Sequence, residues 1–334
     1  MSATYKDIQR ITGLSLSTIS KYFNGGSLRE KNAARIADAI RQLDYRVNDL
    51  ARGLKSRRSR SIGLLIPELT SPFHTSIMSE VSEHLRIHGY SCIVCDCHED
   101  GGREAELLHF LLDKMVDGII TIPIDKTGEH LHAARERETP VILVDRLTSQ
   151  FESDAVIIDN VLAGRLAAEE LLSNGHRNIA MLNGPAGIYT MQQRQKGFSM
   201  GLRTIGWEEQ KHVYRSDFSV EGGYRAGKKI FAASAPPTAV FCSNYEITLG
   251  LIMAMNELDI KIHEDVSLIG FDNLMLSNVI KPKITMLVQP IQTIAKQITD
   301  LILAQLQAYS TKHTVVTLEP KLVRGQSVRD LNQV

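Results

Sequence analysis

Three groups of residues in this chain have types and spacings that could do chemistry. The first is a helix-length run, Leu16 to Phe23, which follows Gly13 and Ser15 and sets Leu16, Ser17, Ser20 and Lys21 opposite Ile19 and Phe23. Hydroxyls that serve several base edges, an apolar group for a thymine methyl and a cation for phosphate or guanine are what a major-groove helix offers near its N-terminus. The second is a set of polar residues at the ends of β-branched runs: Asp145 with Arg146, Asn244 and Asp272. Ser71, Pro72 and Phe73 join them after an earlier run, and Arg194 after the Gly184-Pro185 turn. Carboxylates accept from paired hydroxyls and a guanidinium grips two oxygens, so such a set beside an aromatic ring suits a polyhydroxylated ligand. Blander roles stand beside that one: Asp145 also suits a loop cap, Phe73 a core position and Phe218 simple packing. The third group, Cys92, Cys95, Cys97 and His98, looks at first like a metal cluster. Strand alternation puts Cys95 and Cys97 on one face and Cys92 on the other, and no second Cys or His pair nearby completes a tetrahedron. Buried reduced thiols and no metal are expected there.

The elements that must position these residues follow from periodicity. Residues 4-TYKDIQRITGLSLSTISKYFN-24 read as two short helices joined by a tight turn. Ile8 and Ile11 line one face of the first with Tyr5 one turn earlier, Gly13 makes the turn, and Ser15 caps the second. A third helix, about Lys31 to Leu43, carries an apolar stripe of Ala33, Ile36, Ala37, Ile40 and Leu43 and closes a three-helix core. Two amphipathic helices with a glycine between them also occur in proteins that never meet DNA. Charge separates the readings: residues 1–60 hold 13 Lys and Arg against 5 Asp and Glu, whereas the rest of the chain is acidic by the same margin, so the formal net charge is zero. A basic head on an acidic body is the electrostatic footprint of phosphate binding. Beyond the head, Asn48 can cap a helix of two turns before the basic stretch 55-KSRRSR-60. A helix that short needs a partner and a surface to form.

From Ser61 onward, short β-branched runs alternate with amphipathic helices, as in 62-IGLLIP, 92-CIVCDC, 118-GIITIP and 141-VILVD, and again in 178-NIAMLN, 238-TAVFCS and 266-VSLIG. Runs that are apolar on both faces belong to buried parallel strands joined by right-handed crossovers. Two similar α/β lobes are expected, with ligand beyond the strand C-termini in the cleft between them. The last strand is placed at about Thr314 to Leu318, followed by a short polar tail without the heptads of a tetramerisation helix.

With these residues in view, the chain resembles the lactose-repressor (LacI/GalR) family of bacterial transcription regulators along nearly its whole length. The resemblance is carried by SLSTISKYFNG, LDYRVNDLARGLKSRRSRSIGLLIP, VDR, GHRNIAMLNGP, RQKGF, EDVSLIGFDN and VQP. It implies a helix-turn-helix head over 1–46, a hinge helix and basic linker over 47–60, and a two-lobed periplasmic-binding-protein-like body. The N-lobe would comprise 61–160 with 289–319, and the C-lobe 161–288 with 320–330. By matching positions, the DNA contacts fall on Tyr5, Leu16, Ser17, Thr18, Ser20, Lys21 and Asn24 in the head, and on Asn48, Ala51 and Leu54 in the hinge. Leu54 takes the place of the family's minor-groove wedge, two copies of which kink one central base step. The effector contacts fall on Ser71, Phe73, His98, Asp145, Thr190, Arg194, Phe218, Asn244, Asp272 and Gln289. The chain departs from the family pattern at Val47, usually proline, at Arg29, usually a capping serine, and at Tyr245, usually aspartate.

The expected protein is therefore a DNA-binding repressor, dimeric on a pseudo-palindromic operator of double-stranded DNA and switched by a neutral sugar between the lobes. Two rivals keep parts of that reading: a DNA-binding regulator controlled by a phosphoprotein corepressor, and a solute-binding receptor. No catalytic motif stands out, since 184-GPAG-187 lacks the lysine of a phosphate-binding loop, and no cofactor is expected. Without an apolar signal region or a run of membrane-spanning length, a cytoplasmic protein that avoids membranes is expected.

Overall fold

The computed structural model describes residues 3–23, 26–45, 58–272 and 274–333, so Asn24, Asn48, Ala51 and Leu54 lie outside the described residues. The chain divides into two compact units, Met1–Ser59 and Arg60–Val334.

The smaller unit holds three helices, α1 Tyr5–Thr12, α2 Leu16–Phe23 and α3 Glu30–Gln42. At the start of α1 the Asp7 carboxylate accepts from the Thr4 amide at 3.0 Å and from the Thr4 hydroxyl at 2.8 Å. Gly13, at φ +65°, ends the helix in the left-handed region, where a side chain would be strained. Ser15 then accepts from the Thr18 amide at 3.2 Å and so caps α2. Replacing it by alanine is expected to lower head stability by about 1 kcal/mol. Amide hydrogen exchange of the full chain would read this as faster opening confined to α2, and unchanged exchange there would refute the cap. Ile8, Ile19 and Ile36 are fully buried against Ala39, and Tyr5, Phe23 and Tyr45 form an aromatic layer over them, with Tyr5 stacked on Phe23 at 5.0 Å.

Two details of the head differ from the expected pattern. Ile11 is exposed, and the buried partner of Ile8 on α1 is Thr12, whose hydroxyl donates to the Ile8 carbonyl at 2.7 Å. In an eight-residue helix, positions three and four beyond Ile8 flank the same face about equally, and Thr12 can be buried because its hydroxyl has a local acceptor. On α3 the buried alanine is Ala39, one turn beyond Ile36, rather than Ala37.

The larger unit contains two six-stranded sheets. The first is built from β1 Ser61–Ile66, β2 Ser91–Asp96, β3 Gly118–Thr121, β4 Val141–Val144, β5 Asp154–Ile158 and β11 Val315–Leu318, in the order β11-β5-β4-β3-β1-β2. All of its pairs are parallel. The second is built from β6 Ile179–Asn183, β7 Val213–Arg215, β8 Ala239–Cys242, β9 Ser267–Phe271, β10 Thr285–Val288 and β12 Lys321–Val323, in the order β12-β10-β9-β8-β6-β7. Only β12 runs antiparallel there, against β10. The strands are apolar on both faces because helices cover both. In the first lobe Ile62, Leu64 and Ile66 meet the helices Pro72–Ile87 and Ile291–Gln307, while Leu65 joins Leu108, Leu111 and Leu112 on the other side. In the second, Leu182, Val240, Leu268 and Met286 pack on one face and Met181, Phe241, Ile269 and Leu287 on the other.

The chain passes between the sheets after β5, after β10 and again between β11 and β12. The segment beyond β11 is thus more than a polar tail: β12 completes the second sheet, and Ser327, fully buried, accepts from the Thr285 amide at 2.8 Å. Cys92 packs on one side of the first sheet and Cys95 and Cys97 on the other, and burial pushes the Cys97 thiol up to about 12. Among the described residues no group of three His, Cys, Asp or Glu is arranged to hold a metal, and no helix is long and apolar enough to cross a membrane.

Candidate functional site

The two sheets share one strand order, so β4 of the first corresponds to β9 of the second. Each ends in an aspartate. Asp145 follows β4 at φ +65° and Asp272 follows β9 at φ +74°. The amide of each donates to the neighbouring strand, Asp145 to the Val156 carbonyl at 2.9 Å and Asp272 to the Leu287 carbonyl at 2.7 Å. A left-handed residue at a strand end turns the side chain away from the sheet and toward the cleft. Aspartate tolerates that region better than most residues. The two carboxylates therefore reach the space between the lobes by the same local device.

Arg194 lies between them. It sits on the helix Tyr189–Gly201, is almost fully buried, and donates through Nε to the Asn160 side chain at 2.7 Å and through Nη1 to the Ser243 carbonyl. Its guanidinium lies 3.6 Å from the centre of the Phe271 ring, a cation–π contact that fixes its plane. Gln289 donates to the Asp272 carboxylate at 2.6 Å. Burial pushes the Asp272 carboxyl up to about 7 against the pull of Arg194 and Gln289. Burial likewise raises Asp145, opposed by Arg194 and Arg146. Asp145 Oδ1 and Gln289 Oε1 are buried acceptors left without a protein partner. A folded protein rarely leaves such atoms bare, so they mark where a ligand or water completes the network.

Around this centre, Arg146 is held by the Pro123 carbonyl at 3.3 Å and lies 3.6 Å from Glu99 and 3.9 Å from Asp145. Burial, reinforced by Arg146, depresses His74 to about 4, so it is neutral near pH 7. Asn244 caps the helix Tyr245–Glu257 by accepting from the Ile247 amide at 3.1 Å and donates to Glu246 at 2.7 Å. Burial raises the Glu246 carboxyl; the Ser71 hydroxyl of the first lobe lowers it, and nearby Glu68 and Glu99 raise it further.

The ten residues singled out by sequence thus take different places. Asp145, Arg194, Asp272 and Gln289 converge, and Ser71 and Asn244 meet at Glu246. Thr190 is buried one turn before Arg194, and Phe218 packs over Gly184, where an added Cβ would sit 2.7 Å from its ring. Phe73 is half-buried beside His74. His98 stands apart, its side chain 58% exposed and its Nδ1 3.6 Å from Asp96. Sequence reading missed Glu246 and the Ser243 carbonyl. Glu246 carries a weak signal, as a carboxylate in the first turn of a helix that opens at a strand end. A backbone carbonyl carries none.

In the head, Leu16, Ser17 and Lys21 are exposed, and Thr18 and Ser20 are half-buried on the same helix. Tyr5 is engaged in the aromatic layer.

A family profile described as periplasmic binding proteins and sugar binding domain of LacI family matches residues 59–323. The HTH-type transcriptional repressor PurR of Glaesserella parasuis is 30% identical over 339 residues, covering 99% of this chain and 100% of its own. Catabolite control protein A of Priestia megaterium is 27% identical, covering 98% and 100%. Among solved structures, a LacI family transcriptional regulator of Enterococcus faecium with bound ribose superposes with a TM-score of 0.74 at 28% identity, covering 81% of this chain and 99% of that one. The lac repressor dimer bound to operator and an anti-inducer superposes with a TM-score of 0.88 at 22% identity over 98% of this chain and 100% of that one, a likeness of fold. The chain belongs to the LacI family of transcription regulators, which are not enzymes.

Proposed function

We propose that this transcription regulator is a dimeric repressor whose operator affinity is set by a sugar held between the two lobes. The observation that carries the reading is the buried centre of Asp145, Arg194, Asp272 and Gln289, with the acceptors Asp145 Oδ1 and Gln289 Oε1 left unpaired. Ribose in the Enterococcus faecium relative supports a carbohydrate as ligand. The exposed face of Leu16, Ser17 and Lys21 in a basic head supports operator DNA as the second partner. Support for a dimer comes from apolar side chains left in solvent on both lobes: Val94 on the edge strand β2, Met115, Met253 and Val279. A two-fold dimer reads a pseudo-palindrome, and an effector that prefers the DNA-incompetent arrangement lowers operator affinity by the same factor by which DNA lowers effector affinity.

The test is retention of sheared genomic DNA by the purified protein at near-physiological salt, with and without a mixed sugar pool. Palindromic fragments beside carbohydrate genes, retained without the pool and lost with it, are the expected result. Retention only with the pool would make the ligand a corepressor, and retention only with an added phosphoprotein would displace the sugar altogether. Leu54→Ala is expected to weaken operator binding by about 10- to 100-fold while leaving sugar affinity within about twofold. Equal loss of both would remove Leu54 from the minor groove.

A further inference from the structure

We propose that the ligand of the cleft is a polyhydroxylated primary amine, an amino sugar in its protonated form, and that Glu246 selects it over the corresponding neutral sugar. The inference rests on the reading of the cleft as a carbohydrate site and narrows the ligand class.

The cleft has more hydrogen-bond acceptors than donors to offer. Among the described residues its unpartnered buried atoms are two acceptors, Asp145 Oδ1 and Gln289 Oε1, against one donor, Arg146 Nε. That donor already lies 3.9 Å from the other Asp145 oxygen. Both guanidinium groups are engaged by the protein itself: Arg194 by Asn160, the Ser243 carbonyl and the Phe271 ring, and Arg146 by the Pro123 carbonyl and Glu99. A further basic group enclosed there, His74, is neutral at pH 7. Facing them are five carboxyl groups, Asp145, Asp272, Glu246, Glu99 and Glu68; burial raises the first three, a shift that a cation bound beside them would reverse. An ammonium group donates three hydrogens, accepts none and carries the charge that this surplus lacks. A neutral hydroxyl supplies one donor and no charge, and a phosphate would add negative charge to a site already rich in it.

Glu246 is the residue placed to read the ammonium. It is only half-buried, and it lies between Asn244 of the second lobe, which donates to it at 2.7 Å, and Ser71 of the first. Asp145, Arg194 and Asp272 are left to hold the hydroxyls that neutral and aminated sugars share. A ligand amine at Glu246 would be gripped from both lobes at once.

Isothermal titration of the full-length protein with matched sets decides the matter: glucose, glucosamine and glucose 6-phosphate, then the galactose and mannose equivalents. The expected result is one amine binding at least about tenfold more tightly than its parent sugar, with the phosphate weakest. Glu246→Gln should bring the amine to within about twofold of the neutral sugar, both measured on the variant. The wild-type comparison stands by itself if that variant folds poorly. Amines binding no more tightly than their parents, or a phosphate binding more tightly, would overturn the inference and leave the carbohydrate reading intact. Binding by no member of any set would overturn both.

Discussion

Gly197→Ala is expected to lower the stability of the larger unit by about 3 kcal/mol or more, against the usual stabilising direction of glycine to alanine inside a helix. The reason is the contact between the helices Asn160–Ser173 and Tyr189–Gly201. A Cβ at Gly197 would lie 1.9 Å from the Val161 carbonyl oxygen, and one at Gly164 would lie 2.0 Å from the Arg194 carbonyl oxygen. These are backbone atoms of a facing helix, which no rotamer change can move. The helices must separate, and with them Arg194 leaves Asn160, from which its Nε is only 2.7 Å. A loss of that size corresponds to a fall in Tm of roughly 6–12 °C for a unit of this length. Calorimetry of the variant measures it. An unchanged or higher Tm would show that the helices tolerate a wider crossing.

The second large effect has the opposite sign and depends on pH. Asp272→Asn should stabilise the protein at pH 8 by about 2–4 kcal/mol and make little difference near pH 4. In the fold, burial holds this carboxyl at about 7, well above its ordinary 3.8. A raised carboxylate contributes stability that is present below its unfolded value and lost as pH climbs through the folded one. The wild type should therefore lose stability between about pH 4 and pH 7. Asparagine abolishes that slope, keeps an oxygen for the Gln289 amide and tolerates φ +74°. The same change removes an acceptor from the cleft, so under the function proposed above the affinity for the effector should fall about 100-fold. Denaturant titrations of both proteins across the range read the difference, and a gap that did not vary with pH would refute the buried charge as its cause.

How far the sequence discloses this arrangement depends on what each residue has to do. The buried strands β1, β3, β4, β6, β8 and β9 are legible because both faces are apolar, which leaves unbroken β-branched runs. β7 and β12 are three residues long and border the second sheet, with no buried residue in either, so they leave no pattern. Thr12 outcompetes Ile11 for the head core through one hydroxyl bond, a local choice that hydrophobic periodicity does not encode. In the cleft, Asp145 and Asp272 are legible as polar residues at the ends of apolar runs, and Arg194 as a charge within an otherwise unremarkable helix start. That Arg194 is anchored by the Ser243 carbonyl, and that Glu246 of one lobe meets Ser71 of the other, depends on chain passages far apart in sequence.

The order of those passages bears on how the protein is made. The first sheet is unfinished when synthesis leaves it at Ile158. Its last strand, β11, which pairs with β5, is made only after every strand of the second sheet except β12. The helix Ile291–Gln307, which covers Ile62, Leu64 and Ile66, is likewise made after β10. At ordinary translation rates of roughly 5–20 residues per second, the edge of β5 stays unpaired on the ribosome for roughly ten to thirty seconds. A nascent chain with an open parallel edge and half a core is a chaperone client. Its yield in a cell should respond to holdase supply more strongly than the stability of the finished fold would suggest.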